Sequence, residues 1–443
     1  MNILWLSNYP LPKISEAMNE KSIVNEGWKI TIAEQLSSAH ELTIAFPYSK
    51  IARTLKGEVE RIKYIAFPCE KSLSRRMKHI SEECMEIRNI LKEKSYDIIH
   101  IWGTEFPHSY ATLKATHDLE IESKAIVSIQ GIAKECFVHY LSGVDYKYIK
   151  KQCLTDILRG KSIYLDAINM ETRGILEDQT FELAVNCIGR TDFDRRYVQL
   201  VNPSINYYSC NETLRNCFYD GSWNLDKCVK HSIIMSQGGY PLKGLHNVLK
   251  ALPIIKKRYP DVVLYLAGGI VIQDEKSMSI LKRMVANHAY SQFLNELVKK
   301  GGLENSIVQL GSLSAEKMKE AYLKANVYLL ASSIENSPNS LGEAMLLGVP
   351  AVVSNVGGVR SMCDDNIEVL MYQHDDYYML ASRIIELFQD EELQLNLSKK
   401  SKIRAINSHD SDKNYCKLTE IYSKLCEKDI SLKEQKKVMK GRT

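Results

Sequence analysis

Residues 327–359, VYLLASSIENSPNSLGEAMLLGVPAVVSNVGGV, constrain the fold more than any other stretch of the chain. An apolar run at 327–330 fits a buried strand, a polar turn leads into a helix-like segment at 339–347, Gly348 and Pro350 stop that helix, and 351–354 supply a second buried strand. Strand and helix signals of this kind alternate along most of the sequence, the pattern of parallel sheets covered on both faces. A chain of 443 residues is too long for one ordinary domain, so two α/β domains of about 200 residues each are expected.

In the first half, strands are expected at 2–7, 42–46, 62–67, 98–102, 126–129 and 185–188, with amphipathic stretches between most of them. Ligands of open parallel sheets gather at the carboxyl ends of the strands. A strongly helical stretch at 146–182 reads as an insertion or cover. Residues 202–231, rich in Asn, Cys and Tyr, read as the connection to a second sheet that starts at 232–236 and continues at 264–269 and 307–312. Helices are expected at 375–389, 391–406 and 413–426, and the basic tail SLKEQKKVMKGRT is expected to be disordered, with contact to anionic lipid as an option.

Two carboxylates in the 327–359 unit suggest chemistry. The start of the helix at Asn339, Ser340 and Leu341 offers unpaired N–H groups and the positive end of the helix dipole, where a diphosphate can rest without a side-chain charge. Glu335 in the loop and Glu343, about 6 Å along the helix, accept hydrogen bonds only, and adjacent hydroxyls of a sugar or ribose are their natural partners. A nucleotide diphosphate sugar fits that arrangement.

ENSPNSLGEAMLLGVP followed by VSNVGGV resembles the E-x7-E signature of retaining nucleotide-sugar glycosyltransferases, in particular glycosyltransferase family four. The resemblance implies the GT-B architecture: two Rossmann-like domains with parallel sheets facing across a cleft and a C-terminal helix crossing back to the N-terminal domain. It places an acceptor domain at 1–209, a donor domain at 210–410, the crossing helix at 411–427 and a tail at 428–443. It further implies that Glu335 contacts donor-sugar hydroxyls, that Glu343 holds the ribose, and that backbone near Ser340 and Leu341 meets the diphosphate.

SQGGYPLKGLHNVLKAL puts Gly238 and Gly239 after a strand and Lys243 at the head of a helix. The family usually has an Arg a few residues before that Lys, the pair stabilising the diphosphate leaving group. Here Gly238, Gly239 and Tyr240 fill the segment, so Lys243 carries the task alone or shares it with another basic group. Backbone from Gly311 to Leu313 is expected near the nucleobase. The acceptor-side candidates are Gly27, Thr104, His108, Gln130 and Arg190; at 129–131 many relatives have His before Gly, whereas this chain has Gln130, which removes a titrating imidazole from that position.

Other features narrow the classes. Lys plus Arg number 58 against 54 for Asp plus Glu, which gives no electrostatic case for nucleic acid. Eleven cysteines without a C-x-x-C pair suit a reduced cytoplasmic protein better than a disulfide framework or a zinc site. The D-x-D spacing of Asp192 and Asp194 opens a helix, where Asp serves as a cap, so no metal site is assigned. No leader or spanning segment is read in the sequence. The expected activity is metal-independent, cofactor-free transfer of a hexose from a nucleotide-sugar donor to a saccharide or lipid-linked acceptor, in bacterial surface polysaccharide or glycoconjugate synthesis, in the cytoplasm or peripherally at the inner membrane face. The alternatives are a nucleotide-sugar epimerase and a catalytically inactive scaffold.

Overall fold

The computed structural model describes residues 1–20, 29–159, 161–272 and 288–440. Gly27 lies outside the described residues. The chain forms two compact units, one of residues 1–133, 173–213 and 409–443, the other of 134–172 and 214–408. Residues 134–172, inside the stretch expected to form the N-terminal domain, therefore belong to the second unit.

The first unit is built on eight strands: β1 (Asn2–Leu6), β2 (Glu41–Tyr48), β3 (Leu55–Val59), β4 (Ile62–Pro68), β5 (Ile98–Trp102), β6 (Ala125–Ser128), β7 (Asn186–Gly189) and β8 (Asn206–Ser209). They lie in the order β3-β4-β2-β1-β5-β6-β7-β8, parallel except for the edge hairpin β3–β4. The central strands β1, β5, β6 and β7 are apolar nearly throughout because both faces are covered. One face is covered in part by the last helix, Ser411–Lys440, whose Leu418, Ile421, Tyr422 and Leu425 recur at helical spacing and pack with Ile3, Trp5 and Ile44. The tail expected to be disordered is helical through Lys440, since Lys, Glu, Gln, Leu and Met all favour a helix and no Gly or Pro interrupts them before Gly441.

A buried polar relay ties that helix to the sheet. Tyr422 Oη accepts from Trp5 Nε1 at 3.1 Å and lies 2.6 Å from His100 Nδ1, while His100 Nε2 lies 2.6 Å from Ser128 Oγ. The chain of partners fits a neutral imidazole that accepts from Tyr422 and donates to Ser128. Burial lowers the pKa of His100 to about 3, and does the same for His108 and, in the second unit, His246. A histidine held neutral in the native state takes up its proton only on unfolding. The stability it contributes is full above its ordinary value of 6.5 and is lost as pH falls towards 3. Each should cost about 1.4 kcal/mol per pH unit within that window. Urea melts of wild type and His100→Asn at pH 7, 6 and 5 check this; equal pH slopes for the two proteins would count against it.

The second unit has six parallel strands, β9 (Val229–Met235), β10 (Val263–Ala267), β11 (Ile307–Gly311), β12 (Ala325–Leu330), β13 (Ala351–Ser354) and β14 (Leu370–Tyr372), in the order β11-β10-β9-β12-β13-β14. The order reverses direction between β9 and β12, the point at which the loops after adjacent strands diverge and leave a crevice for a ligand. The segment 134–172 packs on this unit: Val144 and Tyr148 join the core of Leu245, Val248 and Phe293, and Lys147 and Tyr148 both reach Glu296. No helix among the described residues is long and apolar enough to cross a membrane.

Candidate functional site

The loops after β9 and β12 meet in the second unit. The first runs through Gly238, Gly239 and Tyr240 into a short 3-10 turn, Pro241–Lys243, and then the helix Leu245–Arg258. The second carries Ala331 to Pro338 into the helix Asn339–Leu347, which has the bounds expected from sequence. Gly244 joins them most closely. Its φ is +71°, and a Cβ there would lie 1.9 Å from the carbonyl oxygen of Ala331, so only glycine allows the approach. Ser333 reinforces it, its N–H donating to Leu242 O at 2.8 Å and its Oγ to His139 O at 3.0 Å.

This contact delivers Lys243 to Glu335. Lys243 Nζ donates to Glu335 Oε1 at 2.5 Å, and Ser332 Oγ donates to the same oxygen at 2.6 Å. The pair is largely enclosed, with side-chain exposures of 18% and 14%. Burial works against the ammonium, but the Glu335 carboxylate beside it holds the pKa of Lys243 above the ordinary lysine value. Tyr240 lies over the ammonium at 5.8 Å and stacks with Tyr140. The backbone oxygen of Glu335 accepts from Gly358 N–H at 3.0 Å. At Gly357, φ +48°, a Cβ would lie 2.1 Å from that same oxygen. The G-G of the sequence signature thus fixes the glutamate loop from the far side.

Glu343 sits one turn into its helix, 3% exposed, and is met by a residue the sequence reading did not single out. Arg215 Nε donates to Oε1 at 2.6 Å and Nη2 to Oε2 at 2.7 Å, a fork matched to both carboxylate oxygens. Burial raises the pKa of Glu343 and Arg215 works against that rise. Arg215 itself rests over Phe218 at 4.8 Å. It is a lone arginine in the Asn- and Cys-rich connection, 128 residues from its partner, and no periodicity or motif marks it.

The remaining donor-side candidates divide. Gly238 is a packing glycine, since a Cβ there would lie 2.9 Å from both Leu245 and Leu266 side chains; Gly239 is open. Ser340 Oγ accepts from Tyr328 Oη at 2.9 Å, and the Leu341 N–H donates to Pro338 O at 3.0 Å, closing the first turn of the helix. Gly311 ends β11 at φ +69° with space around it, and Leu313 is half-buried two residues on.

On the first unit the structure assigns several acceptor-side candidates to the interior. Thr104 and His108 are fully buried: Thr104 Oγ1 donates to Glu177 at 2.5 Å, and the His108 ring packs near Trp102 O. The expected acceptor contact at these two positions gives way to packing, because the segment after β5 turns straight into the helix Pro107–Asp118 and carries them inward. Arg190 pairs with Glu212 and donates from Nη2 to Ile129 O and Gln130 O, each at 3.1 Å, bracing the loop rather than projecting from it. Gln130 is half-buried and its Nε2 has no hydrogen-bond partner. Asp192 bridges to Arg195 and Arg196, and Asp194 closes a capping box with Thr191, so the D-x-D spacing is a helix start.

The model of the family described as glycosyl transferases group 1 matches residues 229–404, the stretch that holds Lys243, Glu335 and Glu343. Mannosylfructose-phosphate synthase of Agrobacterium fabrum is 27% identical over 157 residues, 35% of this chain and 32% of that protein. The match thus spans about a third of that curated relative's length. Sucrose-phosphate synthase from Thermosynechococcus elongatus has a similar structure, with a TM-score of 0.68 at 14% identity over 96% of this chain and 99% of that one. Anabaena HepE in complex with UDP gives 0.62 at 14% identity over 96% and 100%. At these identities the structural likeness is one of fold.

Proposed function

We propose that the protein transfers a hexose, with retention, from a nucleotide diphosphate sugar to an acceptor hydroxyl: residues 229–404 match the model of the glycosyl transferases group 1 family, and the chain has the GT-B fold of two Rossmann-like units. The observation that carries the proposal is the Lys243–Glu335 pair, held where the sheet order reverses and next to a helix N-terminus.

Each member of the site has capacity left for a ligand. Lys243 has three N–H donors and gives one to Glu335, leaving two for phosphate oxygens. Both hydrogen bonds to Glu335 end on Oε1, so Oε2 faces the task of accepting a sugar hydroxyl. Glu343 gives each oxygen to one Arg215 N–H and keeps a further lone pair on each, enough for two ribose hydroxyls, while Arg215 orients the carboxylate and opposes the rise in its pKa that burial imposes.

In the reaction, the acceptor oxygen bonds to the anomeric carbon as the bond from that carbon to the β-phosphate oxygen breaks. The acceptor proton passes to the leaving phosphate, on the same face. No side-chain nucleophile or metal ion takes part. The protein's contribution is positioning and stabilisation of charge on the leaving diphosphate, which Lys243 supplies. The donor rests on the second unit and the acceptor on the first. The free thiols of all eleven cysteines suit a reducing compartment, and we place the activity in the cytoplasm, in building a surface polysaccharide or glycoconjugate.

Calorimetry with UDP, GDP and ADP tests the proposal. One nucleotide should bind selectively and at least tenfold more weakly to Glu343→Gln; the UDP held by the Anabaena neighbour makes uridine the first choice. Absence of binding by all three nucleotides and their glucose conjugates would overturn the reading. Product that appears only when acceptor is present separates transfer from epimerisation.

A further inference from the structure

The sheet of the first unit has its own reversal of strand order, between β1 and β5, and a pocket opens there. Its walls come from the segments that follow or end four neighbouring strands, β4, β2, β1 and β5, together with Arg76 and Arg173. The pocket measures about 970 Å³ counting its open mouth, room for a sugar-sized molecule.

Its charges are unbalanced. Five acidic or basic side chains line it: Glu20, Glu70, Lys71, Arg76 and Arg173. Glu20 is taken up by Tyr48 and by Lys50, at 2.6 Å, and Glu70 lies 3.9 Å from Arg75. Arg76 is spent on Glu83, at 2.6 and 2.9 Å, and on Asn8 Oδ1 at 3.1 Å. Lys71 and Arg173 remain without an anionic partner among the described residues. Arg173 lies over the ring of Phe106 at 5.2 Å, and its buried Nε has no hydrogen-bond partner. A guanidinium stacked on an aromatic ring with a buried N–H unmet is a poor arrangement by itself, since that N–H has lost its water without gaining a partner. An oxyanion answers it, because two parallel N–H groups match two oxygens of a phosphate or carboxylate.

Resting on the transferase reading above, we infer that the acceptor is a sugar or polyol carrying an oxyanion, phosphate or carboxylate, which seats in this pocket with its charge on Arg173 and Lys71. Tyr48 offers an apolar face for the carbon skeleton, and the polar loop after β1 offers partners for its hydroxyls.

Competition between charged and neutral sugars tests the inference. Calorimetry of the full chain loaded with its nucleotide should show glucose 6-phosphate or glucuronate binding at least tenfold more tightly than glucose, and the better of the two charged sugars names the oxyanion. Arg173→Gln should erase that preference, and Lys71→Gln should reduce it and its dependence on salt. Melting temperatures of both variants establish that they are folded. Equal binding of charged and neutral sugars, an anion preference unchanged in Arg173→Gln, or no binding of any of the three would overturn the inference. Failure of the transferase reading shows separately, as wild-type protein that binds no nucleotide.

Discussion

If the proposed transfer is the reaction, Lys243→Ala should lower turnover by on the order of a hundredfold or more, because a preorganised charge aimed at a developing anion is worth about 2.7–4 kcal/mol in the barrier. The structure sharpens the expectation. Lys243 is the cation that neutralises Glu335, so the single substitution also leaves a mostly enclosed carboxylate unpaired. Comparing Lys243→Met with Lys243→Met combined with Glu335→Gln separates the two effects. The double variant should regain melting temperature and stay slow. If the charge acts chiefly on the leaving group, kcat and kcat/KM fall together. Steady-state kinetics with the nucleotide sugar identified by calorimetry provides the check, and near-normal turnover in Lys243→Met would remove Lys243 from this role.

Arg215→Ala gives the largest loss of stability, about 3 kcal/mol, since removing one partner of a buried ion pair strands the other. The low end of the usual range applies because the Arg215 side chain is 24% exposed and water offsets part of the loss. The pH dependence has a definite sign. Burial already raises the pKa of Glu343, and without Arg215 it rises further. The variant's folded state then holds a proton that the unfolded chain gives up near 4.5, so its stability is greatest in acid and falls as pH rises. The gap to wild type should be narrow near pH 4.5 and wide at pH 7, measured by urea denaturation. A gap independent of pH would mean that Glu343 is not the group left stranded.

Sequence patterning carried much of this architecture. The helix Asn339–Leu347 was bounded by a Pro-containing loop on one side and Gly348 on the other, strong punctuation that the tertiary structure has no reason to override. Strand β5 coincides with the apolar run at 98–102 because a strand buried on both faces is uniformly apolar. Strands β3, β8 and β14 were not legible: β3 is an exposed edge, LKGEV, β8 is half-exposed, NYYS, and β14 has only three residues, so none gives a periodic signal. Lys243 and Glu335 were legible because each lies in a Gly-punctuated loop after a strand. Arg215 was not, because its role comes from a contact across 128 residues. His108 shows the opposite case: a strand-end position that suggested exposure is turned inward by the proline-started helix that follows.

The chain passes between its two units four times, after residues 133, 172, 213 and 408. Neither unit is thus encoded by one continuous stretch of gene. A fragment covering 214–408 would carry Lys243, Glu335, Glu343 and Arg215, yet it would lack 134–172. The apolar surface under Val144 and Tyr148 would be bare, and His246 would lose the Ser142 carbonyl that accepts from its Nε2. To obtain the second unit as a separate body, the insertion has to be grafted back, for instance by a linker running from residue 172 to residue 214.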